Sequence, residues 1–329
     1  MRIAIFGAGL SGRKRGLQCG SCSISGVFDP DVARAGSLAV ALKTRVFNSE
    51  AELLASEADI AIIATTNNHL QPLALQALRN GKHVLVEKPA AINLQQIDEL
   101  EEEARNSGRI VKVGFNHRFH PAIRKMRELI DEEAAGELMF LRARYGHGGR
   151  RHMEHEWRFQ PEISGGGELL DQGVHILDLI YWFLGPLPLH SSMVTTSYWN
   201  TTVDDNAVLT LSDGTRWASF HVSCCEWKNT FSLEVYGRTG KFHVNGLGGS
   251  YGKESLAFYR MLPGMGPPEV ELFEFDEPDQ SWEQDLANLA GHINGQMPLS
   301  GDLRSARYAM EQVRGAYRAN GFKELPCSA

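Results

Sequence analysis

At 329 residues and 36.5 kDa, the chain is long enough for two domains and a sizeable core. A net charge of −7 and a pI near 6.0 exclude the basic face that nucleic-acid binding requires. No run approaches the ~20 apolar residues of a membrane helix. The five cysteines, Cys19, Cys22, Cys224, Cys225 and Cys327, are an odd number without the spacing of a disulfide framework.

Met1-Arg2-Ile3-Ala4-Ile5-Phe6 is charged and then apolar, but it breaks into glycines too early for a signal peptide. These features predict a reduced, soluble, cytoplasmic protein. Ile3 to Phe6 reads as a short strand, followed at once by Gly7-Ala8-Gly9-Leu10-Ser11-Gly12. G-x-G-x-x-G alone is weak, yet here it stands between a strand and a probable helix, the context a dinucleotide fingerprint demands. Such glycines permit a tight turn, close approach of a pyrophosphate and tight helix–strand packing, and the helix N-terminus offers free N–H groups to phosphates. Arg13-Lys14-Arg15 follows as a basic helix start that could also help to hold a phosphate. Cys19 and Cys22 form a lone C-x-x-C with no second pair at zinc-site spacing, so no metal site is expected.

The next strand, Ile24 to Phe28, ends in Asp29. A carboxylate there accepts hydrogen bonds from both ribose hydroxyls and repels a 2′-phosphate, which favours NAD over NADP; the other reading is the start of an Asp-Pro turn. Asp59 to Ala64 ends in Thr65-Thr66-Asn67-Asn68-His69. His83 to Val86 ends in Glu87-Lys88-Pro89, and Ile110 to Val113 ends in Gly114-Phe115-Asn116-His117-Arg118. Helical stretches near 70–80 and 93–107 separate them. This β-α-β series predicts a parallel, doubly wound sheet whose ligands lie beyond the carboxyl ends of the strands, where these polar clusters fall.

Tyr145-Gly146-His147-Gly148-Gly149-Arg150-Arg151 reads either as an arginine clamp for a substrate carboxylate or phosphate, or as a flexible basic loop. Gly165-Gly166-Gly167 suits a loop in which backbone closely approaches another group. A helix rich in leucine and isoleucine follows. In it Asp171, His175 and Asp178 are spaced to share one face, and a histidine one turn from a carboxylate can be held in a chosen tautomer for proton transfer. The unperturbed imidazole pKa of about 6.5 puts that histidine near operating pH. Asn206 to Leu211 alternates, Asp213-Gly214 signals a hairpin, and Thr215 to Ser223, Thr230 to Tyr236 and Lys241 to Val244 read as strands. Gly246 to Gly266 reads as a long loop or strand excursion, and helices near 281–293 and 302–319 close the chain. Trp199, Trp217 and Trp227 suit either sugar stacking or packing.

The order and spacing of these pieces resemble the glucose–fructose oxidoreductase, inositol dehydrogenase and rhizopine-catabolism (Gfo/Idh/MocA) family. The resemblance rests on the Gly7 fingerprint, Gly81-Lys82-His83-Val84-Leu85-Val86-Glu87-Lys88-Pro89, and Gly114-Phe115-Asn116 with Arg118-Phe119 and Pro121-Ala122. Trp157-Arg158 and the Gly165-to-Asp178 stretch extend it. The chain departs at Thr66, where relatives often have proline, and at Leu70, where many have histidine. The resemblance implies an α/β protein: an N-terminal Rossmann domain over 1–120, then an α/β domain over 121–329 with a large, mostly antiparallel open sheet. It implies reversible hydride transfer between NAD, or NADP, and a sugar, sugar-nucleotide or polyol carbinol. Lys88, Asp171 and His175 are the implied catalytic residues, with His175 moving the proton, Lys88 stabilising the oxygen and Asp171 orienting His175 or a substrate hydroxyl. Implied cofactor contacts are Gly7, Gly9, Leu10, Gly12, Asp29, Thr65, Thr66, Asn67, His69, Glu87, Lys88 and Asn116. Implied substrate contacts are Arg118, Arg150, Arg151, Trp157, Arg158, Asp171 and His175. An open sheet face implies a homodimer or homotetramer. Other readings are aldehyde or imine reduction, NAD-assisted glycoside elimination or hydrolysis, and a catalytically silent NAD-binding regulator.

Overall fold

The computed structural model describes residues 1–322, so Cys327 and the last residues of the expected second domain lie outside that span. The first half runs β1 (Arg2–Phe6), α1 (Leu10–Leu17), β2 (Ser23–Phe28), α2 (Val32–Leu42), α3 (Glu50–Leu54), β3 (Ile60–Ile63), α4 (Asn67–Arg79), β4 (His83–Val86), α5 (Leu94–Ser107) and β5 (Val111–Val113). Its strands pair in parallel in the order β2-β1-β3-β4-β5. An isolated parallel bridge joins Val27 to Val46 outside β2. Counted as a rudimentary third strand, it restores the 3-2-1-4-5-6 order of dinucleotide-binding sheets. Ile3 to Phe6 and Ile60 to Ile63 are all fully buried, as strands covered on both faces must be. Side-chain caps set the helix starts: Asp31 accepts from Ala33 N and Arg34 N, and Asn93 accepts from Gln96 N.

The second half adds α6 (Pro121–Asp131), β6 (Leu138–Gly146), α7 (Pro161–Ser164), α8 (Val174–Leu184), β7 (Leu189–Thr195), β8 (Asn206–Ser212), β9 (Trp217–Ser223), β10 (Thr230–Gly237), β11 (Gly240–Asn245), β12 (Glu254–Arg260), β13 (Glu269–Phe275), α9 (Ser281–Ile293) and α10 (Leu303–Ala319). Eight strands form one sheet in the order β13-β12-β11-β10-β6-β9-β8-β7, antiparallel except for the β6–β9 pair. Leu141, Phe220, Leu233 and Val244 point inward and bury against α6, α8 and α10. The opposite face is open, and there Phe140 stacks between Trp217 and Tyr236.

Of the long loop or strand excursion expected over 246–266, the strand excursion forms as β12, whereas neither β13 nor β7 was anticipated. β13 is an edge strand whose exposed Glu269, Glu271 and Glu274 blunt the edge and hide the apolar alternation.

Near its end the chain returns to the first sheet. Leu286 and Leu289 of α9 join Ile3, Ile5, Val27, Ile60 and Ile62 in one core. Beside them lies a buried ionic cluster. Arg15 Nε meets Glu87 at 2.7 Å, Arg15 Nη1 meets Asp285 at 2.5 Å, and Lys112 Nζ reaches Asp285 at 3.0 Å. The basic helix start therefore does not present all three cations to a phosphate: Arg15 is 1% exposed and covered by the Trp282 ring. Asp285→Ala would leave two buried cations facing one carboxylate. A loss of about 3–5 kcal/mol is expected, the range for breaking a buried pair, read as a lowered denaturant midpoint. A midpoint equal to wild type would show that the cluster carries no stability.

Candidate active site

The glycine loop after β1 is required first by the protein's own backbone. Gly7 has φ +98°, and a Cβ on Gly12 would stand 1.9 Å from the Gly7 carbonyl oxygen. Gly9 differs, because a Cβ there would meet nothing within 4 Å. It caps α1 with no side-chain hydrogen bond, leaving the first-turn N–H groups free toward that open space, as a pyrophosphate requires. Asp29 closes the loop from the end of β2, with Oδ2 accepting from Ala8 N at 2.6 Å and Oδ1 from Asp31 N at 2.8 Å. Leu10 is exposed at the helix start, and Thr65 and Thr66 are half-buried at the end of β3. These residues fit a dinucleotide whose ribose meets a carboxylate.

Four of the expected cofactor contacts have other positions or partners. His69 is exposed, while Leu70 is fully buried in the core. Asn67 donates to the Ser164 carbonyl at 2.8 Å, Asn116 donates to Ser281 Oγ at 2.9 Å, and Glu87 is held by Arg15. All three are buried with protein partners: Asn67 and Asn116 tie strand ends to the second half of the chain, and Glu87 ties the end of β4 to α1.

Lys88 projects from the end of β4, beside a cis Lys88–Pro89 peptide. Its Nζ donates to the Asp171 carbonyl at 2.6 Å and also to the Asp171 carboxylate. Arg158 Nε donates to the other carboxylate oxygen at 3.2 Å. Burial would raise the Asp171 carboxyl, but Lys88 and Arg158 outweigh it and hold it below the ordinary carboxylate range.

Asp171 lies in a π-helical turn, Leu169–Gly173, that precedes α8. Among the described residues the Asp171 carboxylate is hydrogen-bonded to Lys88 and Arg158, so its bonds go to these cations and it acts on His175 as a nearby charge. Asp178 is also diverted: Arg118 grips it through Nε at 2.8 Å and Nη2 at 2.6 Å. Arg118, expected on the substrate, is thus a buried structural partner, also bonded to Ser300 and Ser305. The glycine triplet does make the expected close approach. A Cβ on Gly167 would lie 2.0 Å from the Asp204 carbonyl oxygen, and Asp204 Oδ2 accepts from Leu169 N at 2.7 Å.

His175 is 4% exposed, and its Nδ1 is buried without a hydrogen-bond partner among the described residues. Burial first, then Lys88, push its pKa well below the ordinary imidazole value, with Asp171 opposing. The expected titration near neutrality is therefore displaced downward, and the free imidazole is neutral at pH 7.

The sequence reading missed several residues around this centre. The His117 ring stacks on His175 with centroids 3.8 Å apart, and Tyr145 lies edge-on to both rings. Burial pushes Glu168 up to about 7, against the opposing effect of His147, whose Nε2 lies 3.5 Å from Glu168 Oε2. His117 and His147 did fall in quoted strand-end and loop clusters. Glu168 had only its place after three glycines as a signal.

On the loop after β6, Arg150 is exposed but paired with Glu156 at 2.5 Å, while Arg151 is exposed and engages no carboxylate among the described residues. Arg158 also lies over the half-buried Trp157 ring. Trp199 packs against Met153 and Phe159, Trp217 lies on the open sheet face, and Trp227 is 64% exposed.

This architecture is that of a two-domain, dinucleotide-binding protein. Residues 1–115 match the family model described as "Oxidoreductase family, NAD-binding Rossmann fold", and residues 123–243 match "GFO/IDH/MocA C-terminal domain". The chain belongs to the Gfo/Idh/MocA oxidoreductase family, and its first domain is an NAD-binding Rossmann domain.

Similar proteins include UDP-N-acetylglucosamine 3-dehydrogenase of Acidithiobacillus ferrooxidans, 29% identical over 65% of this chain and 64% of that enzyme. Another is D-glucoside 3-dehydrogenase of Escherichia coli, 31% identical over 56% of this chain and 54% of that enzyme. The chain thus spans less than two thirds of either relative. The fold is shared with levoglucosan dehydrogenase in complex with NADH and levoglucosan, at TM-score 0.85 and 16% identity over 97% of both chains.

The loop geometry separates two glycine variants. Gly9→Ala is expected to keep the wild-type melting temperature and weaken NADH binding about tenfold or more, whereas Gly12→Ala should lose stability as well. NADH fluorescence titration beside a thermal melt reads both, and unchanged NADH affinity in Gly9→Ala would remove the phosphate from this loop.

Proposed function

We propose that the chain is an NAD-dependent dehydrogenase that oxidises a hydroxyl of a sugar, sugar-nucleotide or polyol to a ketone, and runs the reverse reduction. One observation carries this reading: the Lys88–Asp171 ion pair stands at the carboxyl end of β4, the end of the sheet that also bears the glycine loop, and both charges act on the buried His175. The dinucleotide, held by Gly7, Gly9, Leu10, Gly12, Asp29, Thr65 and Thr66, supplies the hydride acceptor when bound. In oxidation, neutral His175 takes the hydroxyl proton while Lys88 donates a hydrogen bond to the oxygen as negative charge develops on it. Asp171, kept anionic by Lys88 and Arg158, fixes the direction of the ammonium.

The reading extends to a small-molecule substrate, a cytoplasmic setting and a homodimer or homotetramer formed through the second sheet. Free thiols at Cys19, Cys22, Cys224 and Cys225 support the setting. The aromatic stack on the open sheet face, with Met193 of β7 59% exposed elsewhere in the same sheet, supports assembly, which light scattering tests. No helix among the described residues is long and apolar enough to cross a membrane.

His175→Ala is expected to lower kcat by about 10²–10⁴-fold with NAD affinity nearly intact. For the wild type, kcat/KM for oxidation should rise with pH through a midpoint below about 6.5, since the base is the neutral imidazole. Lys88→Met removes the neighbouring cation and should move that midpoint up, and Asp171→Asn should move it further down. A His175→Ala enzyme with wild-type turnover and pH profile would leave this assignment without support.

Because Glu156 already occupies Arg150, an anionic substrate group would meet Arg151. Arg151→Ala should raise KM for acidic or phosphorylated sugars about tenfold and leave neutral polyols within about twofold. Equal changes for both classes would assign the loop no role in anion recognition.

A further inference from the structure

The loop between β6 and α7 carries a set of donors that the reaction scheme above does not use. Met153–His155 is a single 3₁₀ turn, closed by hydrogen bonds from Met153 N to the Arg150 carbonyl and from His155 N to the His152 carbonyl, both at 3.1 Å. Met153 anchors it: the side chain is 3% exposed and clusters with Phe159, Val203 and Cys224. A 3₁₀ helix has three residues per turn, so side chains three apart eclipse one another. His152 and His155 accordingly share one side of the turn, with ring planes 10° from parallel and centroids 6.1 Å apart. Glu154 joins them, its Oε1 3.9 Å from His155 Nε2. One donor atom from each of the three residues lies within 4.8 Å of the other two.

The carboxylate in this group lacks the partners that such groups normally have. No lysine or arginine pairs with Glu154 among the described residues, and its second oxygen, Oε2, is buried and receives no hydrogen bond from them. A carboxylate in that state calls for a water or a cation to offset its lost solvation. The Glu154 side chain is 25% exposed and that of His155 76%, so an ion can reach both from solvent. Neighbouring positive charge opposes it weakly. Arg150 is matched by Glu156 at 2.5 Å, and Arg151 is exposed, where salt screens it.

We propose that His152, Glu154 and His155 form a binding site for a divalent transition-metal ion, with Zn²⁺ the best match. Two imidazoles and a carboxylate are a donor set that zinc takes in tetrahedral geometry, with water in the fourth position, whereas Mg²⁺ and Ca²⁺ prefer oxygen ligands throughout. With bonds of about 2.0–2.2 Å, tetrahedral donors stand about 3.3 Å apart, so the side chains close by about 1.5 Å, within reach of rotations at exposed positions. The expectation of no metal site rested on cysteine spacing, and these residues are a different donor set. The bound ion ties the turn shut directly before Glu156, Trp157 and Arg158, and Arg158 Nε reaches Asp171. Its effect is to stiffen that loop. None of the three ligands belongs to the proposed catalytic set, so the inference stands apart from the dehydrogenase reading.

The test uses the full chain without an affinity tag, stripped with EDTA, freed of chelator and titrated with ZnCl₂ in a calorimeter. One Zn²⁺ per chain is expected at micromolar affinity, with Ni²⁺ also bound and no heat from Mg²⁺. His155→Ala and His152→Asn should each weaken Zn²⁺ binding about tenfold or more and leave the melting temperature of the metal-free protein unchanged. Asparagine is used at 152 because it tolerates the φ of +66° found there. Glu154→Gln, which keeps the side-chain shape and removes the charge, should weaken binding as well, and it serves if a histidine variant melts early. Zn²⁺ should slow amide hydrogen exchange over 150–158 in wild type and leave it unchanged in His155→Ala. Thiols are the competing ligands, so Cys19→Ser with Cys22→Ser, and Cys225→Ser, should bind Zn²⁺ as wild type does.

Absence of saturable Zn²⁺ binding would overturn the inference. So would wild-type affinity in both histidine variants, loss of binding in the cysteine variants, or binding that leaves exchange over 150–158 unaltered.

Discussion

Asp285 holds two buried cations, and the arrangement of the site depends on that contact. Arg15 comes from the helix that begins at the glycine loop, Lys112 from β5, and Asp285 from α9 near the end of the chain. Glu87 completes the cluster with a second negative charge, and the next residue is Lys88. The cofactor loop, the strand end carrying the proposed catalytic ammonium and the returning C-terminal helix are therefore joined by one neutral set of charges. All four groups are nearly or fully buried, so solvent screens them little, and the loss of any one leaves a charge without water or partner.

The same economy of charge runs through the site. Lys88 keeps Asp171 anionic and disfavours protonation of His175, so a single cation sets the state of both neighbours in opposite directions. Burial works with it on the imidazole and against it on the carboxylate. The outcome is a neutral imidazole beside an intact ion pair, the protonation pattern that the proposed alcohol oxidation requires. Asp171 lies in the π-helical turn Leu169–Gly173 and pairs with Lys88, while His175, at the start of α8, stacks against His117.

Several residues with functional-looking positions bind the protein to itself. Arg118 closes on Asp178, Asn67 on Ser164, Asn116 on Ser281 and Glu87 on Arg15. Each stands at the carboxyl end of a strand or just beyond it, where ligands gather in open parallel sheets. The second half of the chain also docks along that edge. A polar residue there satisfies a ligand, the opposing domain or, as Glu87 does, a side chain of its own domain, and sequence position is the same in every case.

Local sequence determined the strand–glycine–helix start, the alternation that builds the parallel sheet, and most strands of the second sheet. These follow from side-chain periodicity and from backbone demands that only glycine meets, both of which are local. It also placed Lys88, Asp171 and His175 near a common centre through family resemblance. Tertiary structure decided which carboxylate each cation meets, that Asp171 pairs with Lys88 and Arg158, and that the imidazole is dry and neutral. Those outcomes depend on burial and on partners distant in sequence, such as Asp285 for Arg15, Ser281 for Asn116 and His117 for His175. Neither desolvation nor long-range pairing has a period along the chain.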